Sequence, residues 1–343
     1  QILFLFFFIS ILESSGYMAR AAFVMDRFMT KIGLHGRSVV PLMSGFACAV
    51  PGIMATRTIE NWRDRLITIM VLPFMACSAR LPVYALMIAA FIPQTYIFGF
   101  IPLQGLTFFG LYLFGIVMAI ISAWVMKKVF QTGKASPFIM ELPSYKLPKW
   151  SSVFQNMFDR GWLFVTEAGK IIMAISIILW FLSTYPKYDI AQNELPEGTT
   201  IESVQLKNSF AGQIGQLIEP VVKPLGFDWK IGIGLITSFA AREVMVGTLN
   251  TIYSIEDEGD GISTLKEKML HDKTAHGQPV YSSLTAISVM IFFALAMQCM
   301  STLAIVRRET NSWKWPIVMF VYMTTLAYLS SFIAFQGGTL LGY

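Results

Sequence analysis

The chain has 343 residues, of which 55% are hydrophobic and 14% charged, and its mean hydropathy is +0.59. A soluble domain carries roughly a quarter of its residues as Asp, Glu, Lys or Arg, and 28 Phe with 20 Met exceed what one soluble core could hide, so a soluble globular class is excluded. The net charge of +5 rests on basic residues that set orientation in a membrane protein rather than recruit nucleic acid. The three cysteines all lie in apolar stretches and make no disulfide framework.

The chain starts inside an apolar run, Gln1-Ile-Leu-Phe-Leu-Phe-Phe-Phe, with no initiator Met and no basic n-region. It reads as the interior of a longer protein rather than a signal peptide. Clear apolar segments follow at 1–12, 66–92, 106–126, 161–184, 281–306 and 315–340. Runs of about 20 residues cross a hydrocarbon core of roughly 30 Å as helices. Two further segments, 38–56 and 231–253, are apolar but studded with Gly, Pro, Ser and Thr.

Charges in the connections decide how the segments are threaded. Residues 20–37 hold four basic side chains (Arg20, Arg27, Lys31, Arg37) against Asp26, and 57–65 hold Arg57, Arg63 and Arg65 against Glu60 and Asp64. Residues 127–160 carry six basic and two acidic residues, and Arg307, Arg308 and Lys314 outweigh Glu309. Connections 185–229 and 254–280 each carry three basic and six acidic residues. If 38–56 and 231–253 both crossed, like-charged connections would fall on opposite sides. As re-entrant hairpins, the first entering from the cytoplasm and the second from outside, they put every connection on the side its charge predicts. Arms of about ten residues reach roughly 15 Å, half the core. Broken helices of this kind are tolerated where the backbone is buried in protein or lines a cavity.

A weak repeat agrees. At an offset of 193 positions Gly33 falls on Gly226, Leu42 on Leu235, Ser44 on Thr237 and Phe46-Ala47 on Phe239-Ala240, with amphipathic stretches before both. The expected fold is an all-α polytopic membrane protein with two inverted-topology repeats built on broken or re-entrant helices. A substrate site is expected between the hairpin tips. The expected division is 1–126, the first repeat with flanking spans; 127–160, a basic cytoplasmic linker; 161–253, the second repeat; 254–280, a polar loop; and 281–343, C-terminal spans.

Charges inside a bilayer are costly and mark function or pairing. Arg80 sits in Pro73-Phe-Met-Ala-Cys-Ser-Ala-Arg-Leu-Pro82, where Pro82 breaks the helix, and Arg242 and Glu243 sit at the second hairpin tip. Either they line an ion path or they cap broken helix ends. Glu167 and Lys170, one turn apart, read as an interfacial ion pair. Each cysteine lies beside a helix-breaking or polar element: Cys48 before Pro51, Cys77 before Ser78 and Arg80, and Cys299 between Gln298 and Ser301. A lone cysteine is ordinarily a small buried hydrophobe, but thiolates also select softer or borderline metals such as Fe(II), Cu(I) and Zn(II). Met54, Met75, Met297 and Met300 read as packing, and His35, His271 and His276 fall in connections with no metal role. No phosphate-binding loop, H-E-x-x-H or G-x-S-x-G occurs, so no enzyme is read in this chain.

Five strings, Glu13-Ser-Ser-Gly-Tyr-Met-Ala-Arg-Ala-Ala-Phe, Gly45-Phe-Ala-Cys-Ala-Val-Pro-Gly-Ile-Met-Ala-Thr-Arg-Thr58, Pro73 through Tyr84, Phe239-Ala-Ala-Arg-Glu-Val-Met-Val-Gly-Thr248 and Arg308-Glu-Thr-Asn-Ser-Trp-Lys-Trp315, run in order over nearly the whole chain. They closely resemble the ferrous iron transport protein B (FeoB) family. The resemblance implies a permease with two Gate segments that imports Fe(II) through the bacterial inner membrane. It places metal-path cysteines at Cys48 and Cys77 and a third family cysteine at Cys299. We add Glu243 to the metal candidates, with Ser78, Arg80, Arg242, Pro51 and Pro82 as ion-path or gating residues. The resemblance also implies an N-terminal GTPase domain, with GTP and Mg2+ bound there only. Partners implied are that domain, the lipid bilayer, small accessory Feo proteins and further copies in a homo-oligomer. Ser14, Ala49 and Gln298 stand where the family often has Asp, Asn and Pro; losing the Asn removes one oxygen ligand beside Cys48. Two other classes stay open from the residues alone. An organic-solute carrier would work without Cys48 and Cys77. A membrane scaffold would carry no flux and tolerate changes at Arg80 and Glu243.

Overall fold

The structure, a computed structural model, describes residues 2–341 except 33, 35, 47, 98–100, 131–144, 187–207, 240, 241, 243, 254–260, 272–280 and 298. Helix α1 (Ile2–Ser14) is apolar on all sides, and α2 (Tyr17–Ile32) is amphipathic. Two seven-residue helices, α3 (Val39–Gly45) and α4 (Ala49–Ala55), pack against each other as a hairpin. Then come α5 (Trp62–Val71), a 3-10 turn at Leu72–Phe74, a break, a second 3-10 turn at Ser78–Arg80, and α6 (Leu81–Phe91). A two-residue antiparallel ladder, Tyr96–Ile97 with Ile101–Pro102, is a small departure from the all-helical expectation. It leads into the unbroken 27-residue α7 (Leu103–Val129).

The second half runs through the same order. Helix α8 (Trp150–Phe164), a π turn at Val165–Gly169 and α9 (Lys170–Thr184) lead to an amphipathic α10 (Phe210–Val222). A hairpin of α11 (Trp229–Thr237) and α12 (Val244–Ile252) follows. After α13 (Gly261–His271) comes a broken helix, α14 (Ser283–Leu295) and α15 (Met300–Thr310), then the 27-residue α16 (Lys314–Leu340). The repeat read from one aligned string therefore extends to a whole series: amphipathic helix, hairpin, broken helix, straight helix. Helix α8 begins within 127–160 and α13 lies within 254–280.

Local chemistry places the starts. Asn61, Ser209 and Asp228 accept from Arg63, Gly212 and Ile231 N–H groups at 3.1, 3.2 and 3.0 Å, and Ser282 forms a capping box with Thr285. Asn311 takes the left-handed conformation (φ 53°) that ends α15.

Burial separates broken helices from straight ones. Among the described residues four segments are long and apolar enough to cross a membrane. In the most apolar 18-residue stretch of the broken Trp62–Phe91 and Ser283–Thr310, 72% and 71% is buried, against 28% and 22% in that of the straight α7 and α16. Breaks release backbone N–H and C=O groups that hydrocarbon cannot satisfy, so broken helices go inside and intact ones can face lipid.

The chain divides into two compact units, Gln1–Ser78 with Tyr112–Ile171 and Ser301–Met319, and Ala79–Leu111 with Ile172–Met300 and Phe320–Tyr343. The described residues of the basic connections belong to the first unit and those of the acidic connections to the second. The hairpin α3–α4 belongs wholly to the first and α11–α12 wholly to the second, whereas α7, α9, α16 and both broken helices contribute to each.

Within the first unit a buried carboxylate holds three elements. Glu309, in the last turn of α15, has a side chain 2% exposed. Arg57, just past α4, donates through Nε to both its oxygens at 3.0 and 2.9 Å, and Arg65 of α5 reaches Oε2 at 2.6 Å. A carboxylate at the negative end of a helix is unfavourable alone, so the arginines are what make it tolerable. These hydrogen bonds in turn raise the Arg57 pKa above its ordinary value. Glu309→Gln leaves two cations facing a neutral amide and is expected to cost about 2–4 kcal/mol, short of a fully buried pair because Arg57 is half exposed. Its thermal midpoint in detergent should fall further than that of Arg57→Ala or Arg65→Ala, each of which leaves Glu309 one partner.

Candidate helix-interruption sites

The hairpin α3–α4 turns at Phe46–Cys48. Cys48 is the N-cap of α4, in extended conformation (φ −155°, ψ 135°), and its N–H reaches Ser44 O at 3.2 Å. Pro51 is the third residue of α4, where its missing N–H costs nothing. The hairpin packs tightly enough to need glycine. A Cβ on Gly52 would lie 2.9 Å from the Pro41 carbonyl oxygen, and one on Gly45 2.9 Å from Leu72 Cδ2. Gly45 also lies against Met75, so the tip rests on the residues that lead into the first break.

That break runs from Met75 (φ −60°, ψ 131°) through Cys77. Pro73 sits in the 3-10 turn before it and Pro82 in the first turn of α6 after it, so proline both ends and restarts the helix. Cys48 and Cys77 are both half-buried members of the first unit, at the hairpin tip and at the break. Ser78 is exposed, and Arg80, at the N-cap of α6, is 1% exposed.

In the second unit the hairpin α11–α12 is closed by a 2.8 Å hydroxyl pair, Thr237 with Thr248. Its tip is tied to the second break. Arg242, 4% exposed, donates from Nη2 to Ala296 O at 3.2 Å and from Nη1 to Phe293 O at 3.5 Å. The Met300 N–H donates to Phe239 O at 3.2 Å. Arg242 thus caps the C-terminal carbonyls of α14, the negative end of a half-helix. Half-buried Cys299 lies in this break. The tip of the first hairpin, Phe46-Ala-Cys48, carries no charged residue.

Each of the three cysteines therefore stands at a separate interruption. No group of three or more His, Cys, Asp or Glu side chains gathers among the described residues. A cation at the first tip or at the first break would have one cysteine sulfur and half-helix carbonyls at hand. Such a set suits a borderline-soft ion that must also be released. Of the residues singled out from the sequence, the structure sets Cys48 and Pro51 at one tip, Cys77, Ser78, Arg80 and Pro82 along one broken helix, and Arg242 against the break that holds Cys299. Glu243, His35, His276, Gln298 and the side chains of Glu167 and His271 lie outside the described residues. The Glu309 cluster escaped sequence reading, because its partners stand 244 and 252 positions away and nothing local marks them.

Comparison with known proteins follows this geometry. The family model described as nucleoside recognition, Gate, matches residues 1–91 and 165–313, and the model of the ferrous iron transport protein B C terminus matches 108–160. The Fe(2+) transporter FeoB of Leptospira interrogans serovar copenhageni is 51% identical over 98% of this chain and 48% of its own length. A Porphyromonas gingivalis protein named Fe(2+) transport protein A/Fe(2+) transporter FeoB fusion protein is 40% identical over 99% of this chain and 42% of its own. The FeoB of Helicobacter pylori J99 is 34% identical over 99% of this chain and 54% of its own. The chain spans about half the length of these relatives. No solved structure matches it. The chain belongs to the Gate family, in the form found in the membrane portion of ferrous iron transport protein B.

Proposed function

We propose that this chain is the permease portion of a GTPase-coupled uptake system that carries Fe(II) across the bacterial inner membrane. The observation that carries the reading is the coincidence of all three cysteines with helix interruptions in a membrane protein. An interruption needs small, polar or proline residues for the backbone alone. Three cysteines placed there are explained by a soft or borderline cation more simply than by packing. Cys48 and Cys77 exchange hydration water for thiolate and carbonyl ligands, Cys299 serves at the second break, and Glu243, beside Arg242, supplies a carboxylate. Ser78, Arg80, Pro51 and Pro82 shape the first path. Arg242 acts as a positioning residue, holding the end of α14 so that the Cys299 break keeps its form.

The inverted topology belongs to the same reading. Its support is the opposite charge of the connections that flank the two hairpins, basic around the first and acidic around the second. GTP and Mg2+ would act in an upstream domain of the whole protein, and the name of the fusion relative supports a small accessory Feo protein as a partner.

Anaerobic radiolabelled Fe(II) uptake, in cells making the full-length protein, tests the path at matched membrane abundance. Cys48→Ser and Cys77→Ser are each expected to abolish uptake; undiminished uptake in both would return them to packing. Flux of an organic solute with no iron uptake in wild type would favour the solute carrier instead.

Arg242→Ala strips two donors from the end of α14, at about 1–3 kcal/mol for the carbonyls left unmet. Uptake is expected to fall while Arg242→Lys retains part of it. Equal loss in both variants would point to a guanidinium role beyond capping.

A further inference from the structure

A cavity of about 210 Å³ lies within the first unit, under the first hairpin. Helix α2 lines it with Met25 and Met29, α3 with Leu42 and Met43, and Met75 and Ala119 of α7 help close it. No polar surface lines it. Such a space holds neither an ion nor water, since both need polar partners. An apolar cavity of about 150 Å³ is already enough to stay dry and take up an apolar guest.

The surroundings identify the guest. On the outer faces of the same walls Phe23 and Val24 of α2 are 52% and 74% exposed, and Leu113 and Val117 of α7 are 50% and 42% exposed. In a membrane protein those faces stand in hydrocarbon. Met43, a wall residue, is itself 58% exposed. Exposed Lys31 ends α2, in a connection of four basic residues and one acidic, which suits a phosphate headgroup.

We propose that this cavity takes one acyl chain of an anionic bilayer phospholipid. Methionine walls suit a guest of variable shape, because thioether side chains re-pack readily. A seated chain wedges α3 against Met75, two residues before Cys77, and so links lipid occupancy to the position of the first hairpin tip. That last consequence rests on the transport reading; the binding itself does not.

The test uses the full-length protein in phosphatidylglycerol vesicles doped with a phosphatidylglycerol that carries a diazirine in its acyl chain. After photolysis, adducts are mapped by peptide mass spectrometry. Adducts are expected on inner Met25 and Met29 as well as on outer Leu113 and Val117. Ala119→Trp, which fills the cavity, should erase the inner adducts and leave the outer ones, whose persistence reports an intact fold. Met25→Phe fills from the opposite wall and serves if Ala119→Trp loses the outer adducts too. Inner adducts absent in wild type, unchanged in both filled variants, or formed only by a diazirine free fatty acid would overturn the proposal.

Discussion

Backbone hydrogen bonding in hydrocarbon governs this molecule. A helix that crosses the bilayer unbroken satisfies its own N–H and C=O groups, and one that stops midway does not. The two interrupted helices are accordingly buried and the two intact 27-residue helices are largely exposed. Every feature of chemical interest follows from where the interruptions lie. They are the places where carbonyls, thiols and arginines come together without a helix to absorb them.

Proteins of this kind spend side chains on making an interruption stable. At the second break the outlay is Arg242, whose guanidinium takes the carbonyls that α14 leaves open, while the Met300 amide takes the hairpin's Phe239 carbonyl. At the first hairpin, close approach of the arms at Gly52 and of the tip to Leu72 at Gly45 does similar work by packing. The two halves share an order of elements but stabilise their interruptions differently. One uses a fixed cation. The other keeps a tip without charge and places a cysteine there.

Glu309 adds a second constraint of the same kind. A buried carboxylate at the wrong end of a helix is tolerated only because Arg57 and Arg65 reach it. It thereby ties the exit of the first hairpin to α5 and to the end of α15. The apolar cavity on the other side of that hairpin is lined by side chains that yield. The first hairpin is thus held at its exit by the Glu309 cluster and borders an apolar space along α3.

The sequence by itself determined the membrane class and the long apolar segments, because hydropathy is local and additive along the chain. It also marked where helices stop. Pro51, Pro73 and Pro82 cannot sit in mid-helix without breaking it, and the glycine-rich hairpins carry their own punctuation. The repeat was legible only as one short alignment; its full order of elements needed the helices drawn. Tertiary structure alone decided which interruption each arginine serves. Arg242 binds carbonyls 51 and 54 positions away, and Glu309 gathers arginines from 244 and 252 positions away. Backbone carbonyls have no side-chain identity to read, and a glutamate among arginines looks like any solvated charge until the chain brings its partners to it.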